Sequence, residues 1–163
     1  MGILFLNCGG TIDKTYDPAA EIFLHAKTHL PEIFARARIS PEIKISMREL
    51  FLKDSLDMKK KDFEKVAKNC ENSAEKKILV MHGTSKMVES AKLVAQKNLA
   101  KTVVFFGAMI PFEIGNSDAM FNFGFALAAV QNLPRGVFVA MNGKIFPAAI
   151  VQKNSTEATF ESC

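Results

Sequence analysis

Short unbroken apolar runs constrain this chain more than any other feature. Residues 3–6, 77–81, 102–106 and 136–141 each form such a run. Runs of this length, closed by turn residues, read as strands buried on both faces, as in a parallel sheet. Ile43, Ile45 and Met47 alternate with polar residues and predict a further strand with one exposed face. Helix-length segments separate the strands. Pro31 suits the first turn of a helix through about Ala37. Residues 59–71 carry a stripe of Phe63, Val66 and Ala67, and a third helix runs to about Asn98 with Met87, Ala91, Val94 and Ala95 inward. Residues 118–131 form a strongly apolar fourth helix, and Asn142-Gly143 predicts a hairpin after the last run. Residues 14–30 show no clear period and are expected to include a loop. This alternation predicts an α/β fold: a doubly wound, mostly parallel sheet with helices on both faces, Rossmann-like and three-layered. Its crossovers are expected to be right-handed. The 163 residues fit one domain, at roughly 100–200 residues per domain.

Composition removes several function classes. No apolar run approaches the roughly 18–20 residues needed to span a bilayer, so no membrane partner is expected. The net charge is only +4, from 21 basic and 17 acidic residues. The densest basic cluster, Lys59 to Lys68, is interrupted by Asp62 and Glu64 and reads as a solvated helix face, so nucleic acid is not expected as a partner. There are 14 Phe, one Tyr and no Trp, which marks the aromatic rings as core filler. Cys8, Cys70 and Cys163 are neither a disulfide framework nor a zinc pattern. With no basic leader ahead of the first strand, a reducing, cytoplasmic location is the simplest expectation.

In doubly wound sheets ligands bind beyond the carboxyl ends of the strands. Gly9-Gly10-Thr11, Asp54-Ser55 and His82-Gly83-Thr84-Ser85 lie there, and Lys101 opens a neighbouring strand. Glycines admit close backbone approach and leave amides available to a ligand. A threonine hydroxyl needs a base to act as a nucleophile, and a lysine of lowered pKa can serve. Two threonines, a lysine and turn amides therefore suffice for acyl transfer. The competing reading makes Thr84 or Ser85 a helix cap. A phosphate cradle lacks its spacing here. His25 and His29 would share a helix face and read as a surface pair before a metal pair, with no Glu between them. His82 reads as a packed histidine that orders its turn.

In order, Gly9-Gly10-Thr11-Ile12, Asp54-Ser55-Leu56-Asp57-Met58, His82-Gly83-Thr84, Gly107-Ala108-Met109-Ile110-Pro111, Ser117-Asp118-Ala119 with Asn122, and residues 156–162 resemble the bacterial-type L-asparaginase family. The resemblance covers that family's N-terminal domain, so residues 1–163 are expected to be one such domain without the C-terminal one. It implies hydrolysis of asparagine, or a related amino-acid amide, to the acid and ammonia, with no metal and no cofactor. By motif position Thr11 is similar to the nucleophile, Thr84 to the second catalytic threonine and Lys101 to its supporting lysine. Ser55 is similar to the serine that binds the substrate carboxylate. Gly10, Gly83, Ser85 and Ala108 fall at substrate-binding positions, and Tyr16 stands for the family's loop tyrosine. The family has an aspartate where this chain has Ser85, a polar residue at Leu56 and an arginine at Ile110. Self-association is expected, since the family completes its site with the missing domain. Phe112, Phe121 and Phe125 are the expected apolar contact. The alternative is a catalytically degenerate module that binds a small amino acid or a partner protein.

Overall fold

The computed structural model describes residues 2–163. Its strands and helices follow in the order β1 (Gly2–Gly9), β2 (Thr15–Asp17), β3 (Ile22–Leu24), α1 (Leu30–Ala37), β4 (Lys44–Lys53), α2 (Lys60–Asn72), β5 (Lys77–Met81), α3 (Met87–Gln96), β6 (Thr102–Phe106), α4 (Ala119–Asn132), β7 (Gly136–Met141), β8 (Lys144–Pro147), β9 (Val151–Asn154) and β10 (Thr159–Ser162). The main sheet has the order β4-β1-β5-β6-β7-β8. The first five strands are parallel, and β8 returns antiparallel through the Asn142-Gly143 turn. The doubly wound α/β expectation is met.

Strand alternation makes two cores from one sheet. Leu4, Leu6, Ile78, Val80, Val103 and Phe105 face α2 and α3. Ile3, Phe5, Leu79, Met81, Val104 and Phe106 face α1 and α4. Phe5 and Phe106 meet edge to face at 5.8 Å, and Phe123 of α4 closes over both.

The uniform right-handed crossovers expected from sequence are not observed. The β5–α3–β6 and β6–α4–β7 connections step in the same direction across the sheet, yet α3 and α4 lie on opposite faces. Their hands must therefore differ. The β1–α1–β4 connection steps the other way on the α4 face, and β4–α2–β5 steps back on the α3 face, so both share the hand of β5–α3–β6. Only β6–α4–β7 is reversed among these four connections. Burial explains its sequence: α4 is apolar almost all round and fills the groove over β5, β6 and β7.

Two details differ further from expectation. Residues 14–30 contain the β2–β3 hairpin, in which Tyr16 packs on Phe23 with ring centroids 5.3 Å apart. The C-terminal segment forms the β9–β10 hairpin.

Candidate active site

In the parallel part of the sheet the chain leaves the central strand β1 toward β4 on one side and returns to β5 on the other. This reversal opens a crevice at the carboxyl ends of β1 and β5. Thr11 follows β1, and Gly83-Thr84 follows β5.

Backbone contact holds these turns together. Gly10 has a φ of +83°, and a Cβ placed on it would lie 2.5 Å from the Gly83 nitrogen. A Cβ on Gly83 would meet the Ser55 side chain at 2.6 Å. The turns after β1 and β5 thus meet backbone to backbone, and the Ser55 side chain of the β4 turn packs directly on Gly83, approaches that only glycine permits. The Gly10 amide donates to the Lys53 carbonyl at 2.9 Å, tying the first turn to the end of β4. Lys14 and Asp54 form an ion pair at 2.5 Å across the same two turns.

The first turn is also fixed from beneath. Asp13 is buried and accepts from Asn7 Nδ2 at 3.0 Å, Thr28 Oγ1 at 3.0 Å and the His29 amide at 2.8 Å. The turn after β6 is organised by Asp118, which accepts from the Met109 and Ile110 amides, while Asn122 Nδ2 donates to the Gly107 carbonyl. Ala108 is buried within that turn.

Thr84 is buried, and its hydroxyl receives a hydrogen bond from Lys153 Nζ at 2.8 Å. Burial pulls the Lys153 ammonium below the ordinary lysine pKa, and the nearby Asp54 charge only partly offsets this. Thr84 therefore engages a lysine, and α3 begins after Lys86 with no side-chain cap from Thr84 or Ser85. Ser55 is buried, and its Oγ accepts from the Lys86 amide at 3.3 Å, which leaves its own proton to donate. Thr11 is half-buried and Ser85 is exposed, each on one of the crevice-forming turns.

The structure corrects the role given to Lys101. That residue lies at the opposite end of the sheet, ahead of β6. Its Nζ donates to the carbonyls of Cys70, Glu71 and Ser73 at 2.6, 2.9 and 2.6 Å. It caps the end of α2, and Lys153 on β9 occupies the position beside Thr84. No periodicity or spacing in the sequence links Lys153 to Thr84. The direction of the strands does exclude Lys101, because β6 spans about 16 Å between that lysine and the ligand end of the sheet.

His25 and His29 do not form a pair on one helix face. His25 Nε2 donates to the Gly10 carbonyl at 3.0 Å, reaching the turn that carries Thr11, while His29 is buried and meets Thr15 Oγ1 at 3.2 Å. His82 is buried between Phe63 and Phe105, and its Nδ1 donates to the Gly83 carbonyl at 2.8 Å. Tyr16 is exposed, and its amide donates to Glu113 at 3.0 Å. Phe112, expected at an apolar surface, is instead buried against His29. Phe121 is exposed and stacks on the half-buried Phe125.

The family model for the asparaginase N-terminal domain matches residues 2–163. The chain belongs to the asparaginase family. It superposes on the thermostable L-asparaginase of Thermococcus kodakarensis with a TM-score of 0.85 at 26% identity, covering 99% of this chain and 51% of that one. A probable cytoplasmic L-asparaginase of Campylobacter jejuni gives 0.85 at 26% identity, covering 98% and 52%. A curated relative from Pyrococcus abyssi, a glutamyl-tRNA(Gln) amidotransferase subunit, is 30% identical over 154 residues, 87% of this chain and 34% of its own length. This asparaginase-family chain thus spans about half of the solved relatives and a third of the curated one. Among its described residues no helix is long and apolar enough to cross a membrane.

Proposed function

We propose that this chain is an asparaginase-type amidohydrolase that cleaves a side-chain amide, asparagine or a related one, to the acid and ammonia. As the Thr11 hydroxyl oxygen attacks the amide carbon its proton passes to the amide nitrogen, and the C–N bond then breaks to release ammonia and leave an ester on Thr11. A water molecule then loses a proton to the Thr84–Lys153 pair and attacks that ester; the acyl C–O bond to Thr11 breaks, the acid leaves, and the proton returns from the pair to the Thr11 oxygen. Turn amides around Gly10, Gly83, Thr84 and Ala108 stabilise the oxyanion, and Ser55 anchors the substrate carboxylate. The observation that carries this reading is the 2.8 Å contact between Lys153 Nζ and Thr84 Oγ1, with burial holding the lysine pKa down. A lysine that gives up its proton more readily than an exposed one is what the water-activating step requires. We place the reaction in a reducing, cytoplasmic setting, consistent with Cys8 and Cys70 being buried free thiols.

A second chain is proposed to complete the site. Leu56, Ile110, Ile114, Tyr16 and Phe23 are exposed on segments that leave the ligand end of the sheet. Exposed apolar groups gathered this way mark a contact surface.

Ammonia release from L-asparagine, L-glutamine and N-blocked analogues tests the reaction, with wild type beside Thr11→Ala and Thr84→Val. Turnover that both substitutions abolish supports the reading. Folded wild-type protein that hydrolyses none of these amides leaves the binding module as the better account.

A further inference from the structure

Gly9 and Gly10 stand at φ values of +73° and +83° directly ahead of Thr11. Two such residues in a row leave the chain free to swing unless contacts hold it. The Gly9 amide donates to Asn7 Oδ1 at 2.8 Å, and the Gly10 amide to the Lys53 carbonyl at 2.9 Å. These bonds fix the chain as far as the Gly10 nitrogen. Past Thr11, the Asp13 carboxylate is held by Asn7, Thr28 and His29. The peptide between Gly10 and Thr11 is held through its carbonyl. That oxygen accepts from the Asp13 amide of its own turn at 3.1 Å and from His25 Nε2 at 3.0 Å. Among the described residues, His25 is the one group from outside the turn that holds this peptide.

His25 directly follows β3 and is itself placed. Its neighbour Leu24 pairs with Thr15 across the hairpin, and Thr15 Oγ1 meets the buried His29 at 3.2 Å. The Tyr16 amide donates to Glu113 on the turn after β6 at 3.0 Å. The imidazole thus reaches the Gly10 carbonyl from a braced strand end.

A peptide group is planar, so holding its carbonyl orients its N–H and the Cα that follows. Resting on the amidohydrolase reading, we infer that His25 is a positioning residue for Thr11. Its Nε2–H fixes the Gly10–Thr11 peptide and with it the line along which the Thr11 hydroxyl meets the amide carbon. A misplacement of about 1 Å can cost about 10²-fold in rate, so losing this bond falls on kcat rather than on substrate binding.

His25→Gln keeps a side-chain N–H donor at similar reach. His25→Leu removes the donor while keeping bulk, and His25→Asn, one methylene shorter than Gln, falls short of the carbonyl. With an amide that the full chain hydrolyses, the Leu and Asn variants should lose kcat by about tenfold or more with KM within about twofold, and the Gln variant should recover most of the rate. The carbonyl ¹³C resonance of Gly10 in labelled protein should move upfield in the Leu and Asn variants and return in the Gln variant. A wild-type kcat in the Leu or Asn variant, or a Gln variant as slow as they are, would overturn the inference. If folded wild-type protein hydrolyses none of the amides, the hydrolysis reading falls by itself and the resonance decides. A Gly10 carbonyl unmoved by His25→Leu and His25→Asn then overturns the inference, and one that both move and Gln restores keeps His25 as the group that sets the Thr11 turn.

Discussion

Lys153 donates to Thr84 from 69 residues away in sequence, across the join between the β9–β10 hairpin and the turn after β5. Replacing it separates chemistry from scaffold. Lys153→Met should lower kcat by about 10²–10⁴-fold, the usual contribution of a positioned proton carrier, with little change in melting temperature. Lys101→Met should do the reverse. It removes a charged donor from three carbonyls at the end of α2, at a cost of about 1.5–3 kcal/mol, and should leave kcat per folded molecule unchanged. Steady-state kinetics and urea unfolding of both variants read the two effects.

The pH dependence follows from the same lysine. Burial favours neutral Lys153, so its proton leaves below the ordinary lysine pH. In the proposed reaction the neutral form accepts the proton from water, so kcat should rise with pH through that ionisation and then level. Lys153→Arg keeps the charge at all accessible pH and should flatten the profile. A rate that falls over this interval in wild type would contradict the assignment.

Stability should fall in acid because of His82. Burial brings its pKa to about 4 from the free value of 6.5, and the bond to the Gly83 carbonyl only partly opposes this. The unfolded chain therefore binds more protons between these pH values, and stability is full above pH 6.5 and lost as pH falls toward 4. The loss amounts to roughly 3 kcal/mol. Urea unfolding at pH 7 and pH 4.5 should show it, and His82→Phe should remove most of the difference.

Two glycines separate close approach from helix entropy. Gly10→Ala forces a Cβ to 2.5 Å from the Gly83 nitrogen at a φ of +83°, and should cost at least about 1–3 kcal/mol. Gly124→Ala adds a methyl to α4 with nothing within 4 Å, and should gain about 0.5–1 kcal/mol. Chemical denaturation of the two variants decides both signs.

The exposed apolar groups around the crevice predict self-association. Leu56 is 68% exposed and Ile114 56%. Light scattering at high concentration should give a mass of two chains or more, and Leu56→Lys should shift it toward one. A single-chain mass for wild type at every concentration would remove the second chain from the proposal.

The sheet is legible in the sequence because its strands announce themselves locally. Residues 77–81 and 102–106 are apolar runs with nothing else to become, and β5 and β6 occupy those bounds. The glycine turns after them are legible for the same local reason. Lys153 is not, because its place depends on how a C-terminal hairpin docks, and the polar or small residues around it carry no such signal. Lys14 and His25 are hidden likewise, since the β2–β3 hairpin lacks the length and periodicity that would mark it. Phe112 shows the opposite error, an aromatic after a strand that reads as surface but folds inward beside His29.

The reversed crossover has a consequence for rebuilding this protein. Because α4 leaves the face that α3 occupies, the segment from Gly107 to Asp118 must pass over the open end of the sheet to reach the other side. There its Phe112–Ile114 turn touches the Thr11–Asp13 turn. The β-α-β units of doubly wound proteins are commonly regarded as interchangeable modules. At this position they are not: a chimera that supplied a crossover of the usual hand between β6 and β7 would keep every strand in register and yet leave the Thr11 turn with one wall missing.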